Sequence, residues 1–319
     1  MNYLSVKDID SISEWVSEAK VLKKQPLSYR SLGKDKTIGL LFFNPSLRTR
    51  LSTQKAAQNL GMKSMVMNFD KEGWALEYED GMIMDQGKSE HIKEAAQVIS
   101  QFCDIIAIRA FASLEDKEKD QAEIVLNGFA KYASVPVVNM ESSVGHPLQA
   151  LADAITLEED QDRLKGRKPK VVLSWAPHPK ALPHAVANSF VEMMQKQEAD
   201  FVITHPKGYE LDPEIVGTTA VEYNQIKAFE GADYIYTKNW SSFSEYGKVI
   251  SKDPSWTISA EKMAATNNAR FMHCLPVRRN VVVSDAVLDS ENSLVIEQAN
   301  NRTYSAQLVL KKILEHLIK

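Results

Sequence analysis

Apolar residues in this chain fall into short runs separated by amphipathic stretches, and the two alternate almost from end to end. Residues 6–21 show helical spacing, opened by Ser5 or Asp8. Residues 37–43 form an unbroken apolar run that reads as a buried strand. A helix over 51–60, closed by Gly61, and a strand over 63–69 follow. Residues 70–89 are polar and irregular from Lys71-Glu72-Gly73-Trp74 onward and predict a long exposed loop; loops of that length either carry function or stay disordered. The pattern then predicts a helix over 91–102, a strand over 104–109, a helix over 120–132, a strand over 135–140 and a helix over 146–158.

A second block repeats this style. Residues 165–170 are basic and polar and read as a linker or boundary. Strands are predicted over 171–175, 200–205, 233–237 and 270–274, helices over 181–197 and 222–229, and a terminal amphipathic helix over 300–318. Strands alternating with helices mean parallel sheets covered on both faces. The expected fold class is therefore α/β, with two doubly wound parallel-sheet domains joined by helices. The expected domains are 1–150 and 151–300, with 301–319 packing back on the first.

The 319 residues suit two domains. A 44% hydrophobic and 25% charged composition is that of a globular protein, and a net charge of −4 points away from nucleic acid or membrane partners. Two well-separated cysteines, Cys103 and Cys274, argue against a disulfide framework and for a reducing cytoplasm. No apolar run approaches the roughly 18–20 residues that span a bilayer. Met1 to Asp10 lacks a signal-peptide core, and no His or Cys pair has zinc-site spacing.

Candidate chemistry gathers at strand ends, where doubly wound sheets bind ligands. Phe43-Asn44-Pro45-Ser46-Leu47-Arg48-Thr49-Arg50 joins the 37–43 strand to the next helix. Ser46 is a good N-cap, so free N–H groups, the helix dipole and Arg48 together form an anion site. Taken alone, the octapeptide reads equally as a surface arginine pair at a helix start. Arg109, Glu141, His146, His178, Lys238 and Cys274 also fall just after predicted strands. Loops are polar in any case, and Cys274 by itself also reads as a buried structural thiol.

Three motifs change the weight of these readings. Ser46-Leu47-Arg48-Thr49-Arg50 resembles the Ser-Thr-Arg-Thr-Arg phosphate motif of the aspartate and ornithine carbamoyltransferases. His146-Pro147-Leu148-Gln149-Ala150-Leu151-Ala152-Asp153 resembles their His-Pro-x-Gln-Ala-Leu-Ala-Asp segment, and His273-Cys274-Leu275-Pro276 the His-Cys-Leu-Pro of the ornithine enzymes. Thr237-Lys238-Asn239-Trp240 stands where ornithine enzymes carry Ser-Met-Gly. That departure, Leu47 in place of Thr and the Trp74 loop resemble the branch that carbamoylates N-acylated ornithine. The short chain is more similar to the N-succinylornithine members. Glu90 points the other way, because glutamate there goes with acetyl and proline with succinyl, and a second carboxylate at about 4 Å would be repelled by roughly 4 kcal/mol before screening.

The resemblance implies roles for individual residues. Ser46, Leu47, Arg48, Thr49, Arg109 and Arg302 would hold the phosphate of carbamoyl phosphate, with Trp74 reaching in from a neighbouring subunit of a homotrimer. His146 would hold the carbamoyl oxygen. Gln149 and the Cys274–Leu275 backbone would hold the carbamoyl nitrogen. Glu141, His178, Lys238 and Arg278 would bind the acylornithine, with Glu90 near its acyl group. His146, Cys274 and Arg48 would be the catalytic residues, Cys274 orienting or deprotonating the δ-amine. No metal or organic cofactor is implied. Other classes fit less well: a dinucleotide oxidoreductase or a P-loop phosphotransferase needs a glycine-rich turn where Asn44-Pro45-Ser46 stands. A non-catalytic relative would be expected to have lost some of Arg48, His146, Gln149 and Cys274.

Overall fold

The computed structural model describes residues 1–318, the side chain of Asp70 excepted, so Lys319 of the expected terminal segment lies outside it. The chain forms two compact units. The first comprises Met1–Ser113, Glu118–Leu148 and the chain from Arg302; the second comprises Leu114–Lys117 and Gln149–Asn301.

The first unit contains β1 (Thr37–Phe42), β2 (Lys63–Asn68), β3 (Leu76–Glu77), β4 (Glu90–His91), β5 (Ile105–Arg109) and β6 (Val137–Glu141). Four of these make a parallel sheet in the order β2-β1-β5-β6. Its central strands are buried nearly throughout, as expected of strands covered on both faces. Gly39 of β1 leaves room for the Cys103 side chain just before β5, since a Cβ there would lie 2.7 Å from Cys103 Sγ. The chain leaves β1 for β2 on one side and later enters β5 on the other. The topological switch point, where such sheets place ligands, thus lies between the ends of β1 and β5.

The second unit contains β7 (Lys170–Trp175), β8 (Asp200–Thr204), β9 (Ala220–Glu222), β10 (Tyr234–Lys238) and β11 (Arg270–Met272), parallel in the order β11-β10-β7-β8-β9. Here the switch point lies between β7 and β10. Apolar clusters cover the sheet, one around Trp175, Phe190, Tyr236 and Trp240, the other around Phe229, Ile235 and Phe271.

Several expectations are corrected. Residues 70–89 are not a plain exposed loop, because β3 pairs with β4 and Leu76 and Glu77 are buried. The Glu77 carboxylate accepts the N–H groups of Tyr78 and Glu79 and pairs with Lys88 at 3.1 Å, which pins the segment. The predicted 120–132 helix is two helices, Lys117–Gln121 and Ile124–Tyr132, broken at Glu123, whose φ is 47°. Pro183 delays the next helix to Ala185–Gln195. Residues 165–169 lie within the second unit and lead into β7. The chain passes between units at Leu148–Gln149, inside the Pro147–Asp160 helix. β9 is a strand the sequence pattern does not predict, because three residues are too few to show a period, and the expected 222–229 helix starts only at Gln225.

Two buried polar anchors fix these units. The Val295–Ile318 helix is tied into the first by Asn59 Nδ2 donating to Gln307 at 2.8 Å and Lys311 donating to Glu18 at 2.5 Å. In the second, fully buried Asp233 accepts both guanidinium arms of Arg167 at 2.8 and 2.5 Å, the Lys170 N–H and the Asn267 amide. Burial pushes the Asp233 carboxyl up, but these donors outweigh it and hold it below its ordinary value. Replacing Asp233 with alanine strands the Arg167 and Asn267 donors and is expected to cost about 3 kcal/mol, read by urea denaturation. In the unaltered protein this contribution is present above the ordinary carboxylate pKa and is lost as pH falls below about 4 through the folded value.

Candidate active site

At the switch point of the first unit, β1 ends in the Asn44-Pro45-Ser46 turn and the Leu47–Asn59 helix begins. Ser46 is its N-cap, accepting the Thr49 N–H at 3.3 Å. Three guanidinium groups gather at this helix start. The buried Thr49 hydroxyl accepts from Arg302 at 2.7 Å and from Arg109 at 3.3 Å, while Arg48 is the third of them by position in the first turn. Arg48 Nε and Arg109 Nε are buried and have no hydrogen-bond partner among the described residues. Donors left in this way await an acceptor.

A register shift between Ile108 and Arg109 sets Arg109 directly across from Glu141, the re-aiming that bulges provide. Arg109 donates to Glu141 and stacks over Phe111, with 4.1 Å from guanidinium carbon to ring centre. Glu141 also lies 3.2 Å from His146 Nε2. Its charge is shared with Arg109, however, and burial first, then Arg302 and Arg109, hold His146 well below its ordinary pKa. The site is therefore strongly cationic through arginine while its histidine is neutral. The structure places Glu141 in the first unit, beside Arg109 and His146, while His178, Lys238 and Arg278 lie in the second.

Trp74 is 57% exposed and donates its indole N–H to Glu90 at 2.9 Å. Leu47 is exposed, at 70%.

In the second unit, His178 follows β7 and Lys238 ends β10, on either side of the switch point. His178 Nδ1–H donates to the Lys180 carbonyl at 2.8 Å, and Nε2 accepts from Arg278 Nε at 3.1 Å. Burial, then Lys238, Arg278 and Lys180, lower its pKa against the pull of that carbonyl. Lys238 donates to the Asn239 carbonyl, Asn239 to Ala176, and Trp240, fully buried, to Tyr209. The Lys238-Asn239-Trp240 segment is thus built into the core. Cys274, after β11, is 8% exposed. Burial, with Asp153 and Cys274 facing it, pushes the Tyr236 hydroxyl well above its ordinary value. Leu275 has φ 53°, held by its N–H donating to His273 Nδ1 at 2.9 Å. Gln149 donates to Asp153 at 2.8 Å.

Asp153 lies within a motif that assigns it no role, although its spacing of four from Gln149 on a helix is a usable signal. Phe111 and Gln298 carried no such signal. Among the described residues no group of three or more His, Cys, Asp or Glu could hold a metal ion, and no helix is long and apolar enough to cross a membrane.

Two doubly wound units, each with cations at its strand ends and the first with arginines meeting at a Ser46-capped helix start, define the class. Residues 1–159 match the carbamoyl-P binding domain of the aspartate/ornithine carbamoyltransferases, and residues 183–313 match their Asp/Orn binding domain. The chain belongs to this family of enzymes. It is 52% identical over 317 residues to an N-succinylornithine carbamoyltransferase of Bacteroides thetaiotaomicron, covering 99% of each chain. It is 36% identical to an N-acetylornithine carbamoyltransferase of Xanthomonas axonopodis pv. citri, covering 96% of each. Among solved structures, an acetylornithine transcarbamylase complexed with acetylcitrulline superposes with a TM-score of 0.92 at 35% identity, covering 98% of this chain and 99% of that one. A glutamate variant of N-acetyl-L-ornithine transcarbamylase, complexed with carbamyl phosphate and N-succinyl-L-norvaline, gives the same TM-score of 0.92.

The buried, arginine-flanked His146 is expected to stay neutral well below pH 6.5. A nitrogen-detected imidazole titration should place its midpoint below 6.5, and a midpoint at or above 6.5 would contradict this. Because an unfolded histidine takes up a proton near pH 6.5, His146 should also reduce stability as pH falls below that value.

Proposed function

We propose that this enzyme transfers the carbamoyl group of carbamoyl phosphate to the δ-amino group of an N-acylated L-ornithine, giving N-acylcitrulline and phosphate. The observation that carries the reading is the cradle of Arg48, Arg109 and Arg302 around the Ser46-capped helix start, beside a neutral His146. Carbamoyl phosphate is a small dianion at neutral pH, and three guanidinium groups set against one carboxylate suit it. His146, neutral, gives its single N–H to the carbamoyl oxygen in place of Glu141 when the substrate binds, and stabilises the charge that grows there as the amine attacks. Gln149 and the Cys274–Leu275 backbone take the carbamoyl nitrogen.

The cations of the second unit, Lys238 and Arg278, meet the acceptor's carboxylate beside a neutral His178, and Glu141 meets its N–H groups. An amine with a free pKa of about 10.4 must lose a proton before attack, and a cationic site lowers that pKa. Cys274 orients or deprotonates it, and the leaving phosphate takes up the second proton. Holding both substrates in line supplies much of the acceleration. The acylated acceptor is supported by the relatives' acceptors and by Lys238-Asn239-Trp240, which is locked into the core. The chain shares 52% identity with a succinylornithine enzyme against 36% with an acetylornithine enzyme, while Glu90, held by Trp74, biases it toward N-acetylornithine.

The enzyme acts in the cytoplasm, in arginine biosynthesis, as a homotrimer in which Trp74 completes a neighbour's site. Exposure of Trp74, and of Met65 on the edge strand β2, at 57% and 53%, supports a partner on that side of the first unit.

Phosphate release should be measured with ornithine, N-acetylornithine and N-succinylornithine in parallel. Turnover is expected only with the acylated acceptors, and turnover of free ornithine at a comparable rate overturns the reading. Glu90→Gln should raise the succinyl-to-acetyl ratio of kcat/KM by about tenfold, the equivalent of some 1.4 kcal/mol. Inactive Trp74→Ala and Arg48→Ala proteins, mixed under demonstrated subunit exchange, should regain activity. No recovery would count against a shared site.

A further inference from the structure

Three almost fully buried side chains of the second unit form a polar chain: Gln149, Asp153 and Gln298, exposed by 1%, 0% and 0%. Gln149 Nε2 donates to Asp153 Oδ1 at 2.8 Å, and Gln298 Nε2 donates to the same oxygen at 2.7 Å. A carboxylate accepts and does not donate, so both amides must turn their NH2 ends toward it. An amide has two ends, and fixing one aims the other. The far end of Gln298, its Oε1, accepts the His273 N–H at 2.9 Å, one residue before Cys274. The far end of Gln149, its Oε1, is buried with no hydrogen-bond partner among the described residues. A buried carbonyl oxygen left in this way carries its full desolvation penalty until a donor arrives.

We propose that Asp153 is a positioning residue that sets the polarity of carbamoyl recognition, holding Gln149 with its oxygen presented as an acceptor for the carbamoyl –NH2. Through Gln298 the same carboxylate steadies the His273–Leu275 backbone, the other element assigned to that nitrogen. The inference rests on the carbamoyl phosphate reading above. Its consequence is specificity. Acetyl phosphate has the same phosphate and carbonyl but a methyl group where carbamoyl phosphate has –NH2, and a methyl group offers Gln149 no donor.

The test compares the KM for carbamoyl phosphate with the inhibition constant of acetyl phosphate. The unaltered enzyme should favour carbamoyl phosphate by about tenfold or more, the scale on which a site built for an N–H rejects an analogue lacking it. Asp153→Asn can present either an acceptor or a donor to Gln149, and Asp153→Ser likewise with less volume. Either should weaken carbamoyl phosphate and leave acetyl phosphate unchanged, bringing the two within about threefold. In a Gln149→Met background the Asp153 change should not alter the preference further. Equal weakening of both phosphates, or additive effects in the double variant, would make Asp153 merely structural and overturn the proposal. In the unaltered, ligand-free enzyme the Gln149 side-chain amide protons should be protected from exchange, and free exchange also overturns it. Absence of any turnover of carbamoyl phosphate by the unaltered enzyme would instead overturn the function proposed above.

Discussion

Much in the first unit depends on how it keeps positive charge at the end of a buried sheet. Arg109 is 6% exposed, and a charge so placed needs a partner. The bulge at Ile108 and Arg109 supplies one by setting Glu141 opposite. One carboxylate cannot satisfy the whole cluster, and the donors left over are what make it an anion site. Thr49 joins the cluster by accepting from two arginines at once. His146, beside the same carboxylate, is forced neutral by burial and by the arginines. The free arginine donors and the neutral histidine therefore come from a single electrostatic arrangement.

The second unit meets a different constraint. Its strand ends must present backbone and amide groups in fixed directions, and it does so with buried hydrogen bonds. Asp153 orients two glutamines. Trp175 and Trp240, both fully buried, spend their indole N–H groups on backbone carbonyls, which fixes the chain after β7 and β10. Networks of this kind are rigid only when every member is satisfied. Gln149 is the member of this network whose acceptor is left open among the described residues.

Acceptor choice shows how global similarity and a single contact can pull apart. Identity over the whole chain favours the succinylornithine enzymes. Glu90 brings a carboxylate to the loop and is held there by the Trp74 indole at 2.9 Å. Identity averages over hundreds of positions, most of which only maintain the fold. Charge repulsion acts at one position and falls off within a few ångströms in a screened medium.

The sequence by itself determined the α/β class, the two-unit plan and the strand ends where chemistry would gather. Buried parallel strands are short apolar runs, and helices between them keep a period, so both are local signals. Arg48, Thr49, His146, Gln149 and Cys274 were legible for the same reason, lying in contiguous motifs. Tertiary structure alone decided the pairing of β3 with β4 and the break at Glu123, where a two-residue strand and a single left-handed residue carry no period. It also decided the partners of Glu141 and the reach of Gln298 to Asp153. Those contacts join residues 32 and 145 positions apart, and a partner chosen by packing across a sheet or between helices leaves no trace in local spacing.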